Sequence, residues 1–140
     1  LDPPATFLRD SAEGRVKFED LKLSEMICLA DNRLLLLERG SASTKFYVVE
    51  LASNRALPPE HAEESTRPTV EQMSGAGTLP LPLLSKRLLL STDDHPEISR
   101  DLEGMVLLDE RTLLLVNDND FGIEDAPTVF WRVHFADPIA

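Results

Sequence analysis

The sequence predicts an all-β fold built of antiparallel meanders, and three observations carry that expectation. The apolar runs are short: residues 105–108 and 113–116, rich in Leu and Val, flank the polar break 109–112. A helix wants about ten or more residues, whereas a short Leu/Val run bounded by turn residues reads as a buried strand, and two such runs read as a hairpin. Residues 46–49, Phe-Tyr-Val-Val, are aromatic and β-branched, the composition that suits a pleated surface. The same unit of hairpin plus aromatic strand then recurs along the chain.

Taken in order, residues 1–14 open on Asp2-Pro3-Pro4 and carry one short apolar pair, Phe7-Leu8, which predicts an edge strand with a loose lead-in. Residues 15–23 alternate weakly, and residues 23–29 make a first strand. Asp31-Asn32 forms the tight turn, because Asn and Asp tolerate positive φ. Residues 34–37 make a second strand, ending in Glu38-Arg39-Gly40, and residues 46–49 a third. Residues 52–82 are a long irregular connection holding Pro58-Pro59, the acidic stretch 60–64, Pro68, Gly75-Ala76-Gly77, Pro80 and Pro82, with room for a short helix at 70–73. A connection of that length points to function, disorder or an insertion. Residues 88–90 add a strand before the polar turn 91–96.

The repeat follows from setting Met26 on Met105. Leu23 then meets Leu102, Leu29 meets Leu108, and Leu34, Leu35 and Leu36 meet Leu113, Leu114 and Leu115. After a longer loop in the second copy, Phe46 meets Phe130, Tyr47 meets Trp131 and Val49 meets Val133. Self-similar meanders of three or four strands are the mark of propeller blades. Residues 1–140 thus read as one all-β segment, with a first blade-like repeat over 15–90 carrying the loop 52–82, and a second over 98–136. A blade needs neighbours, and propellers usually have about four to eight. Two repeats therefore predict a fragment of a larger propeller, partnered by the missing N-terminal part of the same protein or by a second chain. The first residue is Leu and no signal peptide is visible, which fits an excised or processed chain.

Charge narrows the function classes. Asp and Glu number 25 against 14 Lys and Arg, for a formal net charge of -11. That balance disfavours nucleic acid and anionic membrane, and no apolar run approaches the roughly 18 residues of a membrane span. The single cysteine, Cys28, excludes an internal disulfide and a cysteine zinc site, and its apolar surroundings predict a buried structural thiol.

The stretch Leu102-Glu103-Gly104-Met105, two apolar strands, and then Asn117-Asp118-Asn119-Asp120-Phe121-Gly122 resembles the phytase-like family, whose description invokes esterase-like activity of phytase. Residues 34–40, Leu-Leu-Leu-Leu-Glu-Arg-Gly, look like that family's preceding blade, and the likeness spans roughly 20–135. The resemblance implies a bacterial, exported β-propeller, periplasmic or extracellular, and hydrolysis of phosphate or carboxylic esters.

The residues themselves offer two readings. No Gly-x-Ser-x-Gly elbow, Cys-x5-Arg loop, Arg-His-Gly signature or glycine-rich phosphate loop is present, so no covalent nucleophile is visible. A cation-activated water is the route left to ester hydrolysis. On that reading Glu103, Asp118 and Asp120 are the catalytic and metal-ligating carboxylates, and calcium is the cofactor, since hard cations take several oxygens. Arg39, Asn117 and Asn119 would then bind a small phosphate or ester. The other reading is a polar loop whose Asn and Asp side chains bond their own backbone, a structural carboxylate at Glu103, and Glu38 and Arg39 as an ion pair or as polar end residues of the strand. The protein would then be a non-catalytic ligand- or protein-binding module. His61, His95 and His134 share no metal spacing; His95, in Asp93-Asp94-His95-Pro96, is the better functional candidate, and His134 reads as a surface or packing residue.

Overall fold

The structure is a computed structural model of the chain and describes residues 1–14, 16–51, 58–62, 65, 70–73 and 83–139. Two antiparallel sheets form its frame. The first has strands β1 (Lys22–Leu29), β2 (Arg33–Arg39), β3 (Thr44–Glu50) and β4 (Lys86–Ser91), hydrogen-bonded in that order. The second has β5 (Leu102–Asp109), β6 (Thr112–Asn117) and β7 (Phe130–His134), also in sequence order. The β1–β2 hairpin turns through Asp31 and Asn32 at φ 58 and 57, the left-handed values that Asp and Asn adopt at low cost.

The pairing register makes the two sheets copies of one unit. Met26 pairs Leu36, which pairs Tyr47; Met105 pairs Leu115, which pairs Trp131. Ile27 pairs Leu35 as Val106 pairs Leu114, and Leu37 pairs Phe46 as Val116 pairs Phe130. These are the partners that the alignment of the two leucine blocks sets in correspondence.

The core lies between the sheets. Leu35, Leu37, Phe46 and Val48 of the first sheet form one cluster with Leu102, Met105, Leu113 and Leu115 of the second, closed by Ile98 and Ile139. Because side chains alternate along a strand, the first sheet uses one face for this packing and the second sheet uses the repeat-opposite face. Two glycines permit close approaches. A Cβ on Gly104 would lie 2.8 Å from Val116 at the bulge opening β5, and one on Gly40 would lie 2.6 Å from the Asp10 carboxylate.

Three sequence expectations need correction. Residues 1–14 hold no strand: a 3-10 turn at Pro4–Thr6 leads into helix α1 (Leu8–Glu13). Its anchor is Phe7, fully buried with the Lys45 ammonium 4.5 Å from its ring centre, a contact that local sequence does not encode. Cys28 is exposed, because alternation in β1 turns it away from the inter-sheet core. Glu38 and Arg39 do not pair with each other: being adjacent in a strand, they point to opposite faces. Within the long connection, short helices α2 (Pro59–Ala62) and α3 (Val70–Met73) are described, the latter where the sequence allowed one. The expectations for Pro68, Gly75-Ala76-Gly77, Pro80 and Pro82 lie outside the described residues.

Candidate functional site

The ends of β2 and β6 and the starts of β3, β5 and β7 meet on one rim, where the loops are joined by backbone hydrogen bonds. The Asp101 amide donates to the Ser41 carbonyl at 3.1 Å, and the Asp118 amide donates to the Asp101 carbonyl at 2.8 Å. Asp101, just before β5, thus touches the loops of both sheets.

Arg39 stands at the centre of this rim and is 4 % exposed. Its Nε donates to Ser24 Oγ at 3.0 Å, and one terminal nitrogen donates to Asp101 Oδ1 at 3.1 Å and to the Gly40 carbonyl at 3.2 Å. The other terminal nitrogen pairs with Glu103. One guanidinium therefore ties β2 to the head of β5. A buried arginine without these carboxylates would be strongly destabilising, so the pair is an obligate unit. Burial pushes the Asp101 carboxyl above its usual range, outweighing the pull of Arg39 and Arg100, with the charges of Asp120 and Asp10 adding to the rise.

The acidic run after β6 is organised by its first amide. Asn117 Nδ2 donates to the carbonyls of Asp118 (2.9 Å) and Pro127 (3.1 Å), while its Oδ1 accepts from the Val129 amide at 2.6 Å. Asn117 thereby closes the loop between β6 and β7. Asp118 Oδ1 accepts from the Asp120 amide at 2.9 Å, a short-range Asx turn. Asn119 heads the 3-10 turn Asp120–Asp125, its carbonyl accepting from the Gly122 amide at 2.7 Å. The tip turns left-handed at Asp120, Phe121 and Gly122 (φ 46, 59 and 74), and Phe121 is fully exposed.

Of the carboxylates expected to act together, Glu103 is engaged with Arg39, Asp118 accepts from an amide of its own turn, and the Asp120 charge bears on Asp101. Among the described residues, no three His, Cys, Asp or Glu side chains gather as a metal site. These residues do not by themselves fit calcium, which takes about six to eight oxygens. His95 is exposed, with Nδ1 3.3 Å from Glu97, and His134 Nδ1 lies 3.1 Å from Thr112 Oγ1. His61 is half-buried on α2.

The rim also holds residues that sequence reading missed. The Asp10 carboxylate accepts from the amides of Ser41, Ala42 and Ser43 at 2.7, 2.8 and 2.7 Å. Asp93 accepts from the Leu8 and Arg9 amides at the head of α1, both at 3.0 Å, and from Ser43 Oγ at 2.6 Å. Burial alone would raise the Asp93 carboxyl, but these three donors hold it below its ordinary value. Glu13 and Arg100 add a salt bridge at 2.8 Å. Farther back, buried Glu38 accepts from Lys86 at 2.5 Å, Lys86 reaches Asp2 at 2.7 Å, and the Tyr47 hydroxyl donates to Asp2. Burial opposes ionisation of Asp2, yet hydrogen bonds from Lys86, Tyr47 and Lys45 bring its carboxyl down to about 2. Burial and the neighbouring Asp2 charge push the Tyr47 hydroxyl upward. The N-terminal segment is thus clasped to the first sheet by charge-assisted bonds.

Fold and rim define a protein of two repeated antiparallel meanders, joined face to face and bridged by an arginine between carboxylates. The family model described as Phytase-like, esterase-like activity of phytase, matches residues 3–121, and the chain belongs to that family. The match takes in helix α1, which the sequence resemblance left out, and stops short of β7. No curated protein and no solved structure matches the chain.

Proposed function

We propose that this phytase-like chain hydrolyses phosphate or carboxylic esters at the rim, its two sheets standing as adjacent blades of a β-propeller. The supporting observation is the Arg39–Asp101–Glu103 group at the inter-sheet junction: a fixed cation beside two partly exposed carboxylates, one of them with a raised pKa. Glu103 takes the proton of a water that attacks the phosphorus or carbonyl carbon. Asp101 protonates the departing alkoxide, and Arg39 offsets the charge that builds on the non-bridging oxygen. Burial, by favouring the neutral Asp101 carboxyl, suits that group to give up a proton rather than take one. Calcium is given no step, because among the described residues no three His, Cys, Asp or Glu side chains gather to hold it; it enters as an arm of the assay.

A second reading is favoured by a specific observation. The described donors of Arg39 are engaged by Ser24, Gly40, Asp101 and Glu103, and the Asn117 amide is spent on its own loop. On that reading the rim is a latch in a non-catalytic ligand- or protein-binding propeller. Turnover of phosphate and carboxylic esters, with and without calcium, separates the two. The hydrolase reading expects turnover that Glu103→Gln lowers at least about a hundredfold while the far-UV spectrum holds. Absence of turnover on both ester classes, in both conditions, contradicts it.

A further inference from the structure

On the outward face of the first sheet, four side chains converge on Asp2 and meet both its carboxylate and its amide. Asp2 Oδ1 accepts from Lys86 Nζ at 2.7 Å, and Oδ2 accepts from Lys45 Nζ at 3.2 Å and from the Tyr47 hydroxyl. The Asp2 amide donates to Glu38 Oε2 at 3.1 Å. These receiving groups stand on the neighbouring strands β2, β3 and β4, and each has a support besides Asp2. Lys86 lies 2.5 Å from Glu38 and 4.0 Å from the Tyr47 ring centre, and Lys45 lies 4.5 Å from the Phe7 ring centre. Glu38, Tyr47 and Lys45 are 2, 4 and 6 % exposed. Two ammonium groups and a phenol aimed at one point form a donor set for an anion. Glu38 adds a requirement for an N–H beside that anion.

The hold on Asp2 is separate from the hold on the chain that follows it. Pro3 is exposed, and no residue of the turn Pro4–Thr6 is buried; the Thr6 hydroxyl alone joins in, accepting from Lys45 at 2.7 Å. From Phe7 onward the anchors are different: the buried Phe7 ring, Asp10 on the Ser41, Ala42 and Ser43 amides, and Asp93 on the Leu8 and Arg9 amides. Asp2 can therefore lift out while the chain stays fixed at Phe7. Its departure leaves two lysines facing the single charge of Glu38 in a largely dry place, which draws in another anion.

We propose that Glu38, Lys45, Tyr47 and Lys86 form a binding site for an aspartyl residue of an acidic peptide, and that Asp2 is a tethered occupant which the incoming aspartate replaces. The site lies behind the rim and is independent of ester hydrolysis there. The incoming carboxylate takes one lysine on each oxygen, as Asp2 does, and the N–H of the same residue goes to Glu38. Asparagine lacks the charge that the two ammonium groups call for, and phosphate lacks the N–H. A short tether supplies its occupant at an effective concentration on the order of millimolar. Asp2 therefore competes with the peptide and lowers its apparent affinity by the fraction of time for which the site stands open.

The test is calorimetric titration of the full chain and its Asp2→Ala variant with N-acetyl-aspartyl-N-methylamide, against the asparaginyl analogue and inorganic phosphate. The aspartyl compound is expected to bind Asp2→Ala one to one, at least about tenfold more tightly than it binds the wild type. The asparaginyl analogue and phosphate are each expected to bind that variant at least about tenfold more weakly than the aspartyl compound. Adding Tyr47→Phe, which removes one hydroxyl and keeps the ring under Lys86, should weaken binding at least about fivefold. If Asp2→Ala does not fold alone, the aspartyl compound is expected to restore its far-UV spectrum and the asparaginyl analogue to leave it unfolded. No heat with folded Asp2→Ala, equal affinity in wild type and variant, equal binding of either comparator, indifference to Tyr47→Phe, or an unfolded variant that the aspartyl compound does not restore overturns the proposal. Ester turnover on the same samples reads the rim and bears on none of these outcomes.

Discussion

The two sheets carry one register and opposite burial. Phe46 and Phe130 occupy equivalent places opposite Leu37 and Val116, yet Phe46 is 0 % exposed and Phe130 64 %. Met26 and Met105 reverse the contrast, at 53 % and 8 %. Sequence pattern therefore decides pairing and face, whereas burial depends on which neighbour lies alongside. A β-sheet with two apolar faces is the pattern expected where both faces are covered. Here each sheet has covered the face that meets the other.

That contrast can be broken first at the aromatic pair. Phe46→Ala is expected to cost about 3–5 kcal/mol in urea denaturation of dilute chain, and Phe130→Ala about 0.5 kcal/mol or less. Equal losses would mean that the two faces are buried alike. Next comes the bridge between the sheets. Arg39→Ala leaves Asp101 and Glu103 without their cation and is expected to cost about 2–3 kcal/mol, discounted because both carboxylates are partly exposed. Arg39→Lys restores the charge but not the forked contacts and should recover less than half. Full recovery by Lys would show that charge alone matters.

A smaller effect separates the clasped first sheet from the second. Asp2 has its carboxyl at about 2 against 3.8 unfolded, and Asp93 is lowered too. Depressed carboxyls contribute stability above the unfolded value, lost as pH falls through the folded one. The clasp should therefore loosen between about pH 4 and 2, costing about 1–2 kcal/mol. Asp2→Asn should remove that part of the acid transition. Asp101, raised by burial, works the other way: its folded form holds the proton longer, so it lowers stability as pH rises through and above the carboxylate range. Amide exchange in β1 to β3, followed against pH, reads the first effect directly.

The frame was legible because its signals are local. Short Leu and Val runs, the Asp31-Asn32 turn and the aromatic third strand each state their structure within a few residues, and their recurrence gave the pairing partners. What was hidden depends on distance. Arg39 and Asp101 are 62 residues apart, and Asp93 meets the head of α1 across 85. Phe7 reads as a strand residue until Lys45 is seen over its ring. Asn117 to Asp120 read equally well as ligands or as self-bonding loop residues, and the geometry spends Asn117 and Asp118 on the loop. Strand alternation, not local hydrophobicity, decided that Cys28 faces outward.

The joined sheets rest on a single shared core, and a double-mutant cycle between Leu37→Ala and Leu115→Ala measures it. Both side chains are fully buried in one cluster, though they belong to different sheets. The expected result is a coupling of about 0.5–3 kcal/mol, because the second truncation opens space that the first has already disturbed. Two losses that simply add, to within about 0.3 kcal/mol, would mean that the sheets fold as strangers and would contradict the account.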